Sequence, residues 1–154
     1  MINWQLIEIS MIARSSVYGF ANEKEYGEYL AQAYDFAMLT SAMSMMGDKF
    51  ISGNPTVLKT MWGSAFKIGK SGNSPATIQN VKDIFNQGLQ AYWAGAIFTP
   101  KPPVMPVNVV TVPGNPNVLM FYNTNDPNAF IKFLLQNIKM YMTTIVGTGF
   151  VGVV

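Results

Sequence analysis

The chain has 154 residues, of which 49% are apolar and only 12% charged, with ten basic side chains against eight acidic ones. It contains neither His nor Cys, which removes disulfides, thiolate chemistry, the usual zinc ligands and histidine general bases. The length suits one domain with a substantial core. Charge at about half the usual share, joined to eleven methionines and twenty aromatic residues, points to a surface covered in large part by partners.

The small net charge of +2 hides a division along the chain. Residues 1–48 hold six acids and two bases, and residues 49–154 hold eight lysines and two acids. Opposite poles of this kind suit head-to-tail contact between copies, or a sequence-blind contact of the lysine-rich half with nucleic acid. With Arg14 as the only arginine, bidentate reading of bases or phosphates is not expected. The N-terminal run lacks a basic stretch and carries Glu8 among its apolar residues, so no signal peptide is expected. Two uncharged runs, 84–100 and 102–125, are interrupted by amides, Gly or Pro, and neither reads as a spanning helix.

In chain order, Trp4, Leu6, Ile7, Met11 and Ile12 give a first helix over 2–18, with Gly19 as its stop. Asn22 and Glu25 stand in a capping-box arrangement before a second helix over 23–47, which carries Tyr26, Leu30, Ala33, Phe36, Ala37 and Met43 at helical spacing. Three later helices share one start: Asn54-Pro55, Ser74-Pro75 and Asp126-Pro127. In each, a capping side chain accepts an orphan backbone N–H, and proline at the first helical position has no N–H to leave unsatisfied. The predicted helices run from 54 to about 70, from 74 to 98, and from 126 to about 142.

Between the last two lies a strap with Pro100, Pro102, Pro103, Pro106, Pro113 and Pro116. It is held extended, either as polyproline II or with a short edge strand at 107–112, and 118–122 offers a second short strand. The segment 143–154 is β-branched, dotted with glycine and uncharged. Two main readings of it stand side by side: a strand added to a neighbour's sheet, or an internal strand paired with 107–112 or 118–122; a membrane-active tail is a third, disfavoured because no basic residue flanks it beyond Lys139.

Chemistry-bearing constellations are few. Glu25 and Glu28 are three apart and share a helix face, as a carboxylate-only enzyme would need, but the preferred reading is an acidic first turn favoured by the helix dipole. Asp83 is isolated, and Asp126 is a cap. Gly69-Lys70-Ser71 lacks the first glycine of a phosphate loop, since position 64 is Ser64, and it follows a helix. Met38, Met43, Met45 and Met46 form either a soft docking groove or core filler. Partner contacts are expected at the aromatic edge Tyr92, Trp93 and Phe98, along the strap at Pro100, Pro102, Pro103, Pro106, Val107 and Val109, and in the tail at Ile145, Val146, Phe150, Val151 and Val153. No catalytic residue, metal, cofactor or small-molecule substrate is expected.

The stretch Gln90-Ala-Tyr-Trp-Ala-Gly-Ala-Ile-Phe-Thr-Pro-Lys-Pro-Pro103 resembles small structural proteins of large tailed bacteriophages. In these, a helical domain ends in an aromatic-Trp-small-Gly segment and passes into a proline-rich arm. The likeness covers roughly residues 22–116. It implies a virion subunit of the capsid or head–tail region, assembled in the host cytoplasm and contacting copies of itself and other virion proteins. It carries no functional residue with it. The sequence therefore predicts an all-α fold of about five helices in all: a helical domain over 1–99, a proline-rich arm with a possible short hairpin over 100–125, and a C-terminal helix and apolar tail of the same domain over 126–154. The expected function is that of a non-enzymatic structural subunit; a membrane-peripheral helical adaptor is the alternative.

Overall fold

The structure, a computed structural model, describes residues 1–17, 19–100, 107–118 and 126–154. Its five helices are α1 (Trp4–Val17), α2 (Glu23–Ser41), α3 (Pro55–Lys70), α4 (Pro75–Trp93) and α5 (Pro127–Met142). The capping chemistry is formed as the sequence predicts. Asn54 Oδ1 accepts from Val57 N, Ser74 Oγ from Thr77 N, and Asp126 Oδ1 from Asn128 N. Asn22 Oδ1 accepts from Glu25 N, while the Glu25 carboxylate reaches back to Ala21 N and takes Arg14 Nη2 at 2.8 Å.

The all-α expectation is overturned. Five short strands, β1 (Lys49–Ser52), β2 (Ile97–Thr99), β3 (Asn108–Val112), β4 (Val146–Gly147) and β5 (Phe150–Val151), form an antiparallel sheet in sequence order. The fold is mixed and dominated by helix. Two predicted helices end early to supply these strands. α2 stops at Ser41 rather than 47, where the Ser41 and Thr40 hydroxyls bond back to the carbonyls of Ala37 and Phe36 and Ala42 turns extended. α4 stops at Trp93 rather than 98, because Gly95 takes φ +73°, a conformation open to glycine, and turns the chain into β2. β3 lies where the edge strand 107–112 is predicted, but it is interior, between β2 and β4. Of the predicted strand 118–122, Val118 is non-strand and exchanges bonds with the Asn86 side chain; the rest lies outside the described residues.

The sheet pairing returns to its start. Met43 bridges Lys49 of β1, and it also exchanges both backbone bonds with Val154, at 3.0 and 2.8 Å. Met45 N donates to Gly152 O. The tail beyond β5 is thereby tied to the segment leading into β1, so the two ends of the sheet meet at residues 43–45 and offer no open strand edge there. Of the two readings of the tail, the internal one is found: β4 pairs with β3 through Val110↔Gly147 and Val112↔Val146.

A chain of aromatic rings ties the helices to this sheet. Trp62 stacks on Phe85 at 4.4 Å and sends its Nε1–H to the Phe85 carbonyl. From Trp62 the contacts pass through Tyr34 and Tyr92 to Phe50, then to Phe98, and end on Phe150 at 4.7 Å. All seven rings are buried, in one hydrophobic cluster that draws on every helix. Among the described residues no helix is long and apolar enough to cross a membrane.

α2 and α3 cross with backbone close to backbone. A Cβ built on Gly27 would meet the Trp62 carbonyl group, lying 2.7 Å from its carbon, and would press on the Phe66 ring. Gly69, also helical, has only the Val81 methyls at ordinary contact distance. Gly→Ala in a helix gains about 1 kcal/mol of propensity, whereas overpacking against an unyielding neighbour costs about 1–3 kcal/mol or more. Gly69→Ala is therefore expected to raise the melting temperature slightly and Gly27→Ala to lower it by about 5 °C or more. Equal effects in thermal denaturation would contradict the close crossing.

Candidate interaction surface

α2 buries Leu30, Ala31, Tyr34, Ala37 and Met38, which leaves a second apolar stripe, Phe36 and Leu39, on its outer face. Both are exposed, Phe36 at 57% and Leu39 at 42%. Where α2 ends, the extended segment alternates: Ser44 is buried while Met43 and Met45 point outward. β1 alternates likewise, with Phe50 in the core and Lys49 and Ile51 outside. Helix end and strand together enclose a groove of about 350 Å³ lined by Leu39, Met43, Lys49, Ile51, Thr99 and Pro100. At Leu39 it adjoins a second concavity of about 240 Å³ between α2 and α3, lined in part by Phe36, Asp35 and Lys59. Met45 and Met46 extend the exposed apolar surface into the turn before β1.

This surface is held by a polar network beneath it. The Ser44 hydroxyl donates to Asp48 Oδ2 at 3.0 Å and accepts from the backbone N–H of Met46 and Asp48. Asn108 Nδ2 of β3 donates to the same Asp48 oxygen at 2.8 Å. A carboxylate with two charge-assisted partners pins the turn against the sheet, so the methionines project from a fixed backbone.

The chain's charges are mostly settled internally. Glu8 pairs with Lys132, Glu23 with Lys70, Glu25 with Arg14 and Glu28 with Lys24. Asp35 accepts the Tyr92 hydroxyl at 2.7 Å, Asp83 accepts from Gln79, and Asp126 caps α5. With Asp48, all eight side-chain carboxylates have partners within the chain. Two of the ion pairs join the acidic first part to the basic remainder, so the opposite poles of the sequence partly cancel within the molecule. Lys49, Lys59, Lys67, Lys82 and Lys139 pair with no carboxylate among the described residues.

Most of the predicted contact residues lie elsewhere. Tyr92, Trp93, Phe98 and Ile145 are fully buried, and Phe150 and Val153 are 4% and 2% exposed. The aromatic stripe and the tail are core, for the reason that each supplies a ring or branched side chain to the same cluster. Trp93 Nε1 donates to the Tyr34 hydroxyl at 2.9 Å, and that hydroxyl faces Met142 Sδ at 3.1 Å. Burial drives the Tyr34 and Tyr92 hydroxyls well above the ordinary tyrosine range, and the Tyr141 hydroxyl, which donates to the Pro113 carbonyl, rises for the same reason. Val107, Val109 and Val146 are half-buried, and Val151 is exposed. Pro100 is the one predicted strap residue among those lining the groove; Pro102, Pro103 and Pro106 lie outside the described residues. Of the methionine group, Met38 is core and the other three are surface.

No family model, curated protein or solved structure matches this chain. The surface must speak for itself. Among the described residues no three acidic side chains come together as metal ligands. Leu39 and Ile51 are surface residues that the sequence did not single out, and Phe36, grouped by its helical spacing with Leu30 and Ala37, is exposed on the outer face instead. The signal for the two on α2 was present, since apolar residues on α2 cover more than one face.

Proposed function

We propose that this chain is a non-enzymatic structural subunit that works by being held against neighbours in a larger assembly. The observation that supports it is the exposed apolar surface on α2, the 43–46 turn and β1: Phe36, Leu39, Met43 and Ile51 line two adjoining hollows, and Met45 and Met46 are exposed in the turn beside them. A surface of this kind marks a contact site, and methionine suits adaptable contacts. The resemblance of residues 90–103 to small proteins of tailed bacteriophages supports the particle reading: a virion component of the capsid or head–tail region, touching copies of itself or other virion subunits. A membrane-peripheral adaptor is the second reading, favoured by Ile9 and Val17 exposed on α1.

Fractionation of the source material decides between them. An antiserum against the chain is expected to find it co-sedimenting with purified particles through a density gradient, at constant ratio to the other subunits. Recovery with membranes would favour the adaptor, and recovery only as free protein would overturn both.

A further inference from the structure

The two hollows beside α2 share a chemical bias. Lys49 lines the one at β1 and Lys59 the one at α3, both exposed and neither paired with a carboxylate among the described residues. Asp35, the one acidic side chain lining this stretch, is turned to the Tyr92 hydroxyl. Leu39 lines both hollows, with Met43 and Ile51 in the first and Phe36 in the second, beside the hydroxyls of Thr40, Ser41 and Thr56. The site is thus a pair of adjoining, partly apolar hollows, each with an exposed lysine on its lining and with Asp35 held at the side of the second.

We propose that this pair of hollows seats an acidic, amphipathic segment of a different polypeptide, its apolar side chains over Leu39 between Phe36 and Ile51 and its carboxylates at Lys49 and Lys59. The inference rests on the structural-subunit reading and names the partner's chemistry. A second copy of the chain is the weaker candidate, because four of its carboxylates sit in ion pairs and Asp35, Asp48, Asp83 and Asp126 lie on or next to separate elements, where no one segment offers two of them. An anionic lipid surface fits poorly as well, because the apolar residues line a concavity and a bilayer engages flat or convex faces. Charge at the rim sets partner choice and encounter rate, while the apolar centre holds the complex.

The test is selection of short random peptides displayed on the full-length protein, with counter-selection on Ile51→Glu. Enriched peptides are expected to be net negative and to carry apolar residues at regular spacing. The best of them, measured by fluorescence anisotropy, is expected to lose at least about tenfold in affinity with Ile51→Glu. With Lys49→Glu/Lys59→Glu it loses about tenfold, and about fivefold as salt rises from about 50 to 500 mM. Circular dichroism checks that the variants fold, and the salt series on the unaltered protein needs no variant. Enrichment of neutral or basic peptides overturns the acidic partner while leaving the contact face standing. Peptide binding indifferent to both sets of substitutions overturns the site itself. So does self-association in sedimentation velocity, or binding to phosphatidylcholine/phosphatidylglycerol vesicles, that Ile51→Glu abolishes. Failure of the particle fractionation instead removes the subunit reading with the peptide result intact.

Discussion

Deleting residues 150–154 is expected to leave a chain that does not fold cooperatively. Phe150 is the last ring of the aromatic series and packs on Phe98 at 4.7 Å; Val153 is buried as well. The same five residues supply β5 and the bonds of Gly152, Val153 and Val154 to Ile145, Met142 and Met43. Truncating a buried Phe to Ala costs about 3–5 kcal/mol, and the deletion also removes a second apolar side chain and leaves Met43 and Met45 backbone groups unpaired. Those losses approach the whole stability of a typical domain, about 5–15 kcal/mol. Phe150→Ala alone is expected to lower the melting temperature by about 10 °C or more. The deletion is expected to broaden or abolish the thermal transition and the near-ultraviolet circular dichroism. A deleted protein that melts sharply near the full-length temperature would return the tail to its other reading, as an arm for a neighbour.

Alkaline pH is expected to unfold the protein steeply, beginning above pH 10. Tyr34, Tyr92 and Tyr141 are buried, and burial raises each hydroxyl's folded-state pKa above the ordinary value of 10; Tyr26 is pushed up to about 12. Below pH 10 both folded and unfolded states keep these protons, and the stabilisation is fully present. Above it the unfolded state releases them while the folded state does not, so stability falls as pH rises, until the folded pKa values are reached. Each tyrosine contributes up to about 1.4 kcal/mol per pH unit, so the three most buried ones together remove about 4 kcal/mol by pH 11. Far-ultraviolet ellipticity and tyrosinate absorbance, followed together, are expected to change in one transition. Tyr141→Phe is expected to make the pH dependence shallower by one proton. Tyrosinate appearing gradually while the fold persists would mean that these hydroxyls reach solvent.

The candidate surface shows how unevenly the sequence advertises its parts. Met43, Met45 and Met46 drew notice by composition, and they are exposed. Leu39 was legible only as a surplus apolar position on α2, and Phe36 was grouped by its spacing with the residues that face the core. Ile51 carried no signal, because whether it or Phe50 faces the core depends on the register of a four-residue strand. Conversely Tyr92, Trp93 and Phe98 read as an interface edge because Tyr and Trp have polar tips. Those tips found partners inside, in Asp35 and Tyr34.

What the sequence determined by itself is local. Asn22, Asn54, Ser74 and Asp126 set the helix starts because a side-chain oxygen and a backbone N–H two or three residues on need nothing from the rest of the chain. Helical periodicity likewise located the cores of α1 to α5. The tertiary structure decided the rest. Pairings such as Lys49 with Thr99, Val110 with Gly147 and Ser44 with Val153 join strands of two to five residues, too short to show a period. They also drew residues 43–46 and 97–98 away from the helical pattern in which they stand. An extended residue gains its hydrogen bonds and its burial only when a distant segment arrives, so nothing in the flanking residues announces it.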